Sequence, residues 1–305
     1  MTFKAIRRKE GVVLMAENKK IDDLDQYYTK PTISKKCTEI LKSYFNEEFW
    51  ENKIFLEPSA GTGSFITAVQ EVFQNSFIIA CDIEPKTPNI SKMDFLKTSL
   101  NIEHLITIGN PPFGKRSATA IKFFNHATKF SDIVAFIVPI QFEKYNVHNK
   151  LDPDFKLIHS EVLEDYSFIH NDKDSNIRCC FQIWTKLETS YPDLRIKTPP
   201  KTTHKNFEMF LHNNTKATLK YFDKTKYEWN FAVPRQGYYD YSLRIEDEKE
   251  LQKNIQYIFF KTEDKKVLEN LKNIDFEKLS RKNTTIPGFG KADIVAYYEE
   301  VFKNE

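Results

Sequence analysis

Four consecutive residues, Asn110-Pro111-Pro112-Phe113, bring together a side-chain amide, two peptide positions without N–H groups and a flat aromatic face. An exocyclic amino group on a nucleobase is a poor nucleophile because its lone pair is delocalised into the ring. Acceptors placed on its hydrogens favour the tetrahedral nitrogen that develops as it attacks an electrophile. The Asn110 side-chain oxygen and the Pro111 carbonyl are two such acceptors. The prolines stiffen the loop and remove competing donors. Phe113 offers a surface on which a base stacks, an interaction worth roughly 1 to 3 kcal/mol. Taken alone, the tetrapeptide also suits a rigid strand-to-helix turn over a buried Phe.

A second cluster precedes it. Glu57-Pro58-Ser59-Ala60-Gly61-Thr62-Gly63 is a turn of mostly small residues, which lets a ligand approach the backbone and exposes the first amides of the helix that follows. Asp82 comes about 20 residues later, a spacing that suits paired hydrogen bonds from ribose hydroxyls. Asp94 and Phe95 suit a hydrogen bond to, and packing against, an adenine ring; they equally suit a helix cap and a core Phe. The turn lacks the full GxGxxG spacing of a dinucleotide site, which favours a smaller nucleoside.

These residues need a scaffold that gathers them, and the pattern supplies one. From Lys53 onward, short apolar runs alternate with amphipathic stretches, as in βα units wound into a parallel sheet. Ile54 to Leu56, Phe77 to Ala80, Leu105 to Ile108 and Ile133 to Val138 read as strands. A helix carries Phe65, Ile66, Val69, Val72 and Phe73 on one face, and another spans about Ala118 to Phe130. Tyr166 to Ile169 and Ile177 to Trp184 read as a hairpin around the polar tip Asn171 to Asn176. In such a sheet, ligands bind outside the carboxyl ends of the strands, where the unusual residues collect.

Together these residues resemble the class I S-adenosylmethionine-dependent adenine-N6 methyltransferases, particularly DNA enzymes whose cofactor motif precedes the catalytic motif and a target-recognition region. The resemblance covers about Asp25 to Lys186. It implies a Rossmann-like, doubly wound α/β sheet with a smaller C-terminal region. It also implies that Glu57, Pro58, Ser59, Ala60, Gly61 and Gly63 cradle S-adenosylmethionine, Asp82 holds its ribose, and Asp94 and Phe95 hold its adenine. Asn110, Pro111, Pro112 and Phe113 are then catalytic. Asp25-Gln26-Tyr27-Tyr28-Thr29 is similar to the segment that folds over the cofactor, with Thr29 as its contact, although Lys30 intervenes before Pro31. Ile137-Val138-Pro139 and the strand through Cys179, Cys180 and Phe181 are similar to later elements flanking the target base, which places Phe181 on that base. If the target is duplex DNA, the adenine must be flipped out to reach Phe113.

Bulk properties leave the acceptor open. Related tetrapeptides serve adenine in DNA, adenine in RNA and glutamine in proteins. A formal charge of +2 over 305 residues does not itself announce a polyanion partner. Local charge is more informative: eight Lys or Arg between Arg195 and Tyr227 face only Glu208 and Asp223, with Tyr221, Phe222 and Tyr227 interleaved, as on a phosphate-tracking surface with stacking groups or on a solvated basic face. Arg235, in Val233-Pro234-Arg235-Gln236-Gly237-Tyr238-Tyr239, could read a guanine edge. Duplex DNA is the expected partner, RNA and protein glutamine are the alternatives, and a binding protein without turnover is a reading from another class.

The four cysteines have no CxxC spacing and complete no zinc pattern with the histidines, so reduced thiols and no metal are expected. The longest apolar run is far short of the roughly 20 residues that span a bilayer, and no secretory signal is evident, so an intracellular, cytoplasmic setting is expected. Pro192, Pro199 and Pro200 interrupt the rhythm. The expected division is therefore an N-terminal extension of residues 1–24, a catalytic domain of 25–186, and a target-recognition or nucleic-acid-binding region of 187–305.

Overall fold

Strands β1 (Ile54–Glu57), β2 (Phe77–Asp82), β3 (Ser91–Lys92), β4 (Leu105–Gly109), β5 (Ser131–Pro139), β6 (Lys156–Val162) and β7 (Cys179–Thr185) form one sheet in the spatial order 3-2-1-4-5-7-6. The first five are parallel, and β7 runs antiparallel between β5 and β6. The computed structural model describes residues 4–7, 12–15, 27–74, 76–284 and 286–302. Apart from a hairpin pairing Lys4–Arg7 with Val12–Met15, the expected N-terminal extension lies outside the described residues, as do Asp25 and Gln26.

Strands β4 and β5 are buried along their whole length, which is why they read as unbroken apolar runs instead of alternating ones. Helices α1 (Pro31–Ser43) and α2 (Ser64–Val72) cover one face, where Ile33, Leu41, Phe65 and Val69 pack on Phe55, Ile106, Ile108 and Ile133. Helix α3 (Ala118–Ala127) covers the other, where Phe124 and Ala127 pack on Leu105, Val134, Phe136 and Trp184. Helices on both faces of a mostly parallel sheet make the expected Rossmann-like, doubly wound α/β fold. All four cysteines are free and buried, and no helix among the described residues is long and apolar enough to cross a membrane.

The expected hairpin is replaced by different pairings. Phe168–His170 pairs with Lys173–Ser175 and with Tyr28–Thr29, whereas Cys179–Thr185 pairs with β5 and β6. Strand β6 escaped the sequence reading because it mixes Lys156, His159, Ser160 and Glu161 with only a short apolar pair, Leu157-Ile158. Its register is set by the neighbouring strand instead of by its own pattern.

Beyond Lys186 the chain stays strapped to this sheet as far as Ile196. The Arg195 guanidinium donates to the carbonyls of His148, Leu151, Asp152 and Phe155 at 2.6 to 3.0 Å, and Ile196 N–H donates to His148 Nδ1 at 2.9 Å. Since Nδ1 accepts, His148 is held neutral, and burial pulls its pKa down from 6.5 to about 4. The unfolded chain therefore binds an additional proton between those values. This contribution to stability is complete above pH 6.5 and is lost as pH falls towards 4, amounting to about 3 kcal/mol at most. Urea unfolding across that range should show the loss, and an imidazole NMR titration centred near 6.5 would contradict it.

The C-terminal region has its own sheet: β8 (Glu208–His212), β9 (Phe231–Pro234) and β10 (Tyr257–Lys261), with β10 in the middle. Both faces are covered, so side chains alternate into two cores. Ile258 and Phe260 face helices α4 (Lys265–Lys272), α5 (Phe276–Ser280) and α6 (Lys291–Val301). Tyr257 and Phe259 face Trp229, Tyr221, Phe222 and Tyr227. The region docks on the start of β7, where Arg178 N–H donates to the Thr284 carbonyl at 3.2 Å and its side chain to the Asn283 carbonyl. Arg281 pairs with Asp165 at 2.8 Å nearby.

Candidate active site

The sheet order reverses between β1 and β4, and at their carboxyl ends lies a cavity of about 380 Å³. Its walls come from the residues after β1 (Pro58, Ser59, Gly61), after β2 (Asp82, Ile83, Glu84, Lys86), after β3 (Met93 to Leu96) and after β4 (Asn110 to Gly114), closed by Tyr27, Tyr28, Thr119 and Phe123. Gathering these segments is what a topological switch point does.

The turn after β1 is set by short-range bonds. Gly63 N–H donates to the Ala60 carbonyl at 2.7 Å, and Ala60 N–H donates to Cys81 on β2 at 3.0 Å. Gly61 has φ +52, and a Cβ there would press on the Tyr28 ring at 3.1 Å; only glycine meets both constraints without strain. Asp82 Oδ2 accepts Gly61 N–H at 2.8 Å and Oδ1 accepts Glu84 N–H at 2.8 Å, so the carboxylate is fixed at the rim with its remaining lone pairs available. Ala60 and Gly63 shape this turn without lining the cavity.

Glu57 lies beneath. Burial pushes its carboxyl well above the usual carboxylate range, while it accepts the Ser59 N–H at 3.3 Å. A Cβ at Gly109 would overlap that carboxyl, so the glycine preceding Asn110 is what lets the two strand ends meet. Ser59 Oγ then donates to the Asn110 carbonyl at 3.2 Å, tying the turn to the tetrapeptide.

Asn110 is oriented by a partner that the sequence did not identify. Its Nδ2 donates to the Tyr27 carbonyl at 2.9 Å. A carbonyl only accepts, so the amide cannot be flipped and the other atom must be the oxygen. That oxygen, Oδ1, is buried and has no hydrogen-bond partner, a condition that costs free energy unless a ligand donor meets it. Phe113 lies at the cavity wall, mostly buried.

The other expected site residues divide. Asp94 and Phe95 line the cavity, and Asp94 also caps the turn at Leu96 and pairs with Lys97 at 2.9 Å, while Phe95 packs edge-on to His126. Thr29 does not line it: the residue is in register with Phe168, its hydroxyl buried and unpaired, and Tyr27 and Tyr28 take the covering position. Only the three-dimensional contact of Tyr28 with Gly61 reveals this. Phe181 is fully buried between Ile137 and Glu161 in the sheet, so its ring offers no face to a base. Arg235 donates from Nε to the Phe289 carbonyl and from Nη1 to Asn213 and Gln256, so its guanidinium is held, half-buried, within the C-terminal region. Tyr221, Phe222 and Tyr227 pack around Trp229 instead of forming an outward stacking platform, because both faces of the small sheet need covering.

No family model matches the chain. A stretch of 70 residues is 33% identical to the type II methyltransferase M.CvrRI of Paramecium bursaria Chlorella virus XZ-6E, covering 20% of this chain and 18% of that one; the chain thus spans under a fifth of the curated relative it matches. Among solved structures, the type I restriction-modification methyltransferase subunit of Streptococcus thermophilus overlaps 55% of this chain and 46% of its own at 15% identity and a TM-score of 0.43. The magnesium protoporphyrin IX methyltransferase of Synechocystis PCC 6803, solved with bound S-adenosylmethionine, overlaps 52% and 79% at 11% identity and a TM-score of 0.37.

Proposed function

We propose that this protein transfers a methyl group from S-adenosylmethionine to the N6 amino group of adenine in DNA. The observation that carries this reading is the Asn110 Oδ1 atom, buried, fixed in orientation and lacking a donor, at a loop bonded through Ser59 to a glycine turn and an anchored carboxylate. The residues fit the cofactor: Gly61 and the amides of α2 provide a close backbone approach, Asp82 a ribose acceptor, and Asp94 with Phe95 a nucleobase edge and face. When bound, S-adenosylmethionine supplies an electrophilic methyl group on a sulfonium.

The protein's part is positioning and polarisation. Asn110 Oδ1 and the Pro111 carbonyl accept the two amino hydrogens, holding the nitrogen lone pair towards the donor, and Phe113 stacks on the base. As the N–C bond forms at the expense of the methyl–sulfur bond, leaving a neutral thioether, these acceptors stabilise the positive charge that grows on the amino nitrogen, which then gives up one proton to solvent. No covalent enzyme intermediate is required.

The partial likeness to a type II methyltransferase supports DNA as the acceptor. The test is transfer of labelled methyl from S-adenosylmethionine to unmethylated duplex DNA and, separately, to RNA, followed by nucleoside analysis. N6-methyladenine in DNA is expected. Label confined to RNA would overturn the polymer but keep the chemistry, and label in neither would overturn the reading.

A further inference from the structure

Resting on that reading, the catalytic domain itself offers a contact for the nucleic-acid backbone. Between Glu103 and Asp132 the chain has no acidic residue. Within that stretch, immediately after the tetrapeptide, Lys115 and Arg116 are exposed, and neither side chain has an ion pair or hydrogen bond among the described residues. Exposed lysines and arginines are ordinary; the backbone at Arg116 and just after it is not.

Arg116 has φ +55 and Ser117 φ +62, two successive non-glycine residues in the left-handed region, which L side chains adopt reluctantly. The segment is held there from several directions. Ser117 N–H donates to the Gly114 carbonyl at 3.2 Å, Thr119 and Ala120 N–H donate to the Phe113 carbonyl at 3.1 and 3.3 Å, and Ser117 Oγ donates to Gln141 at 3.3 Å. A strained backbone over-determined by its surroundings persists where a side chain must be aimed. Here it displays two free cations beside the loop that receives the base.

We propose that Lys115 and Arg116 clamp the phosphodiester next to the acceptor nucleotide, so that substrate recognition begins within the catalytic loop. Such contacts release counterions and carry no sequence information; they fix the register of the strand on the protein.

The test uses the full chain and a fluorescein-labelled mixed-sequence DNA duplex, with an RNA of the same sequence as a second arm, titrated across salt concentration. In Lys115→Ala/Arg116→Ala, affinity for the duplex should fall roughly tenfold per lost contact near about 0.1 M salt, and the log–log salt slope should shrink by about 2. KM for nucleic acid should rise more than kcat falls, with S-adenosylmethionine affinity unchanged. Arg116→Gly separates charge from strain: it should weaken the duplex while raising Tm, and Arg116→Lys should restore much of the binding. Unchanged salt slope and KM in the double variant, with wild-type methylation intact, would overturn the clamp and leave the proposed function standing. Wild-type protein that neither binds nor methylates either polymer would overturn both. Weakening on the RNA arm alone supports the clamp on a different polymer.

Discussion

Asn110→Ala is expected to lower methyl transfer by roughly 10²- to 10³-fold while leaving S-adenosylmethionine affinity nearly unchanged, by analogy with removal of one preorganised acceptor or donor from a transition state. The geometry explains why the effect falls on turnover. Asn110 Oδ1 is already desolvated and already oriented by the Tyr27 carbonyl, so it pays no reorganisation cost when charge develops on the amino nitrogen. The residues proposed to hold the cofactor follow β1, β2 and β3, and Ser59 joins them to the Asn110 carbonyl, which the substitution retains. Single-turnover rates and equilibrium cofactor binding measured on the same preparation separate the two effects. A rate within threefold of wild type would remove Asn110 from the chemistry.

Asp82→Ala should do the reverse, weakening S-adenosylmethionine by roughly 100-fold. Charge-assisted hydrogen bonds contribute about 1.5 to 3 kcal/mol each, so losing a paired acceptor for two hydroxyls costs about 3 kcal/mol or more. The carboxylate also accepts the Gly61 and Glu84 amides, so its loss loosens the turn after β1 as well. Asp82→Asn keeps an acceptor of similar shape and should fall between alanine and wild type. Calorimetric titration with S-adenosylmethionine decides the matter, and a Kd within threefold of wild type for the alanine variant would mean that the carboxylate holds only the turn.

The order of the site was legible in the chain because its parts are local. A short apolar run followed by a turn dictates a strand and a tight connection, whatever lies elsewhere, and the ends of four neighbouring parallel strands necessarily share one edge. Hence Ser59, Gly61, Asp82, Asp94, Asn110 and Phe113 converge on one cavity, as their spacing implied. Strand β6 was not legible in this way because its mixed polar sequence signals no strand, nor were the places of Phe181 and Arg235, whose residue types suit either a contact or a core.

What the sequence alone determined, then, is the α/β architecture and the chemical groups at the carboxyl edge, because backbone conformation follows from propensity and periodicity over a few residues. The tertiary structure decided which atoms remain free to act. Asn110 is orientated by a carbonyl 83 residues away in sequence, Tyr28 takes the cover that Thr29 was expected to give, and Tyr221, Phe222 and Tyr227 are drawn in around Trp229 to cover one face of the small sheet. Those outcomes depend on hydrogen bonding and burial between distant segments, where each donor, acceptor or apolar face can be satisfied only once, and no local pattern records which partner satisfies it.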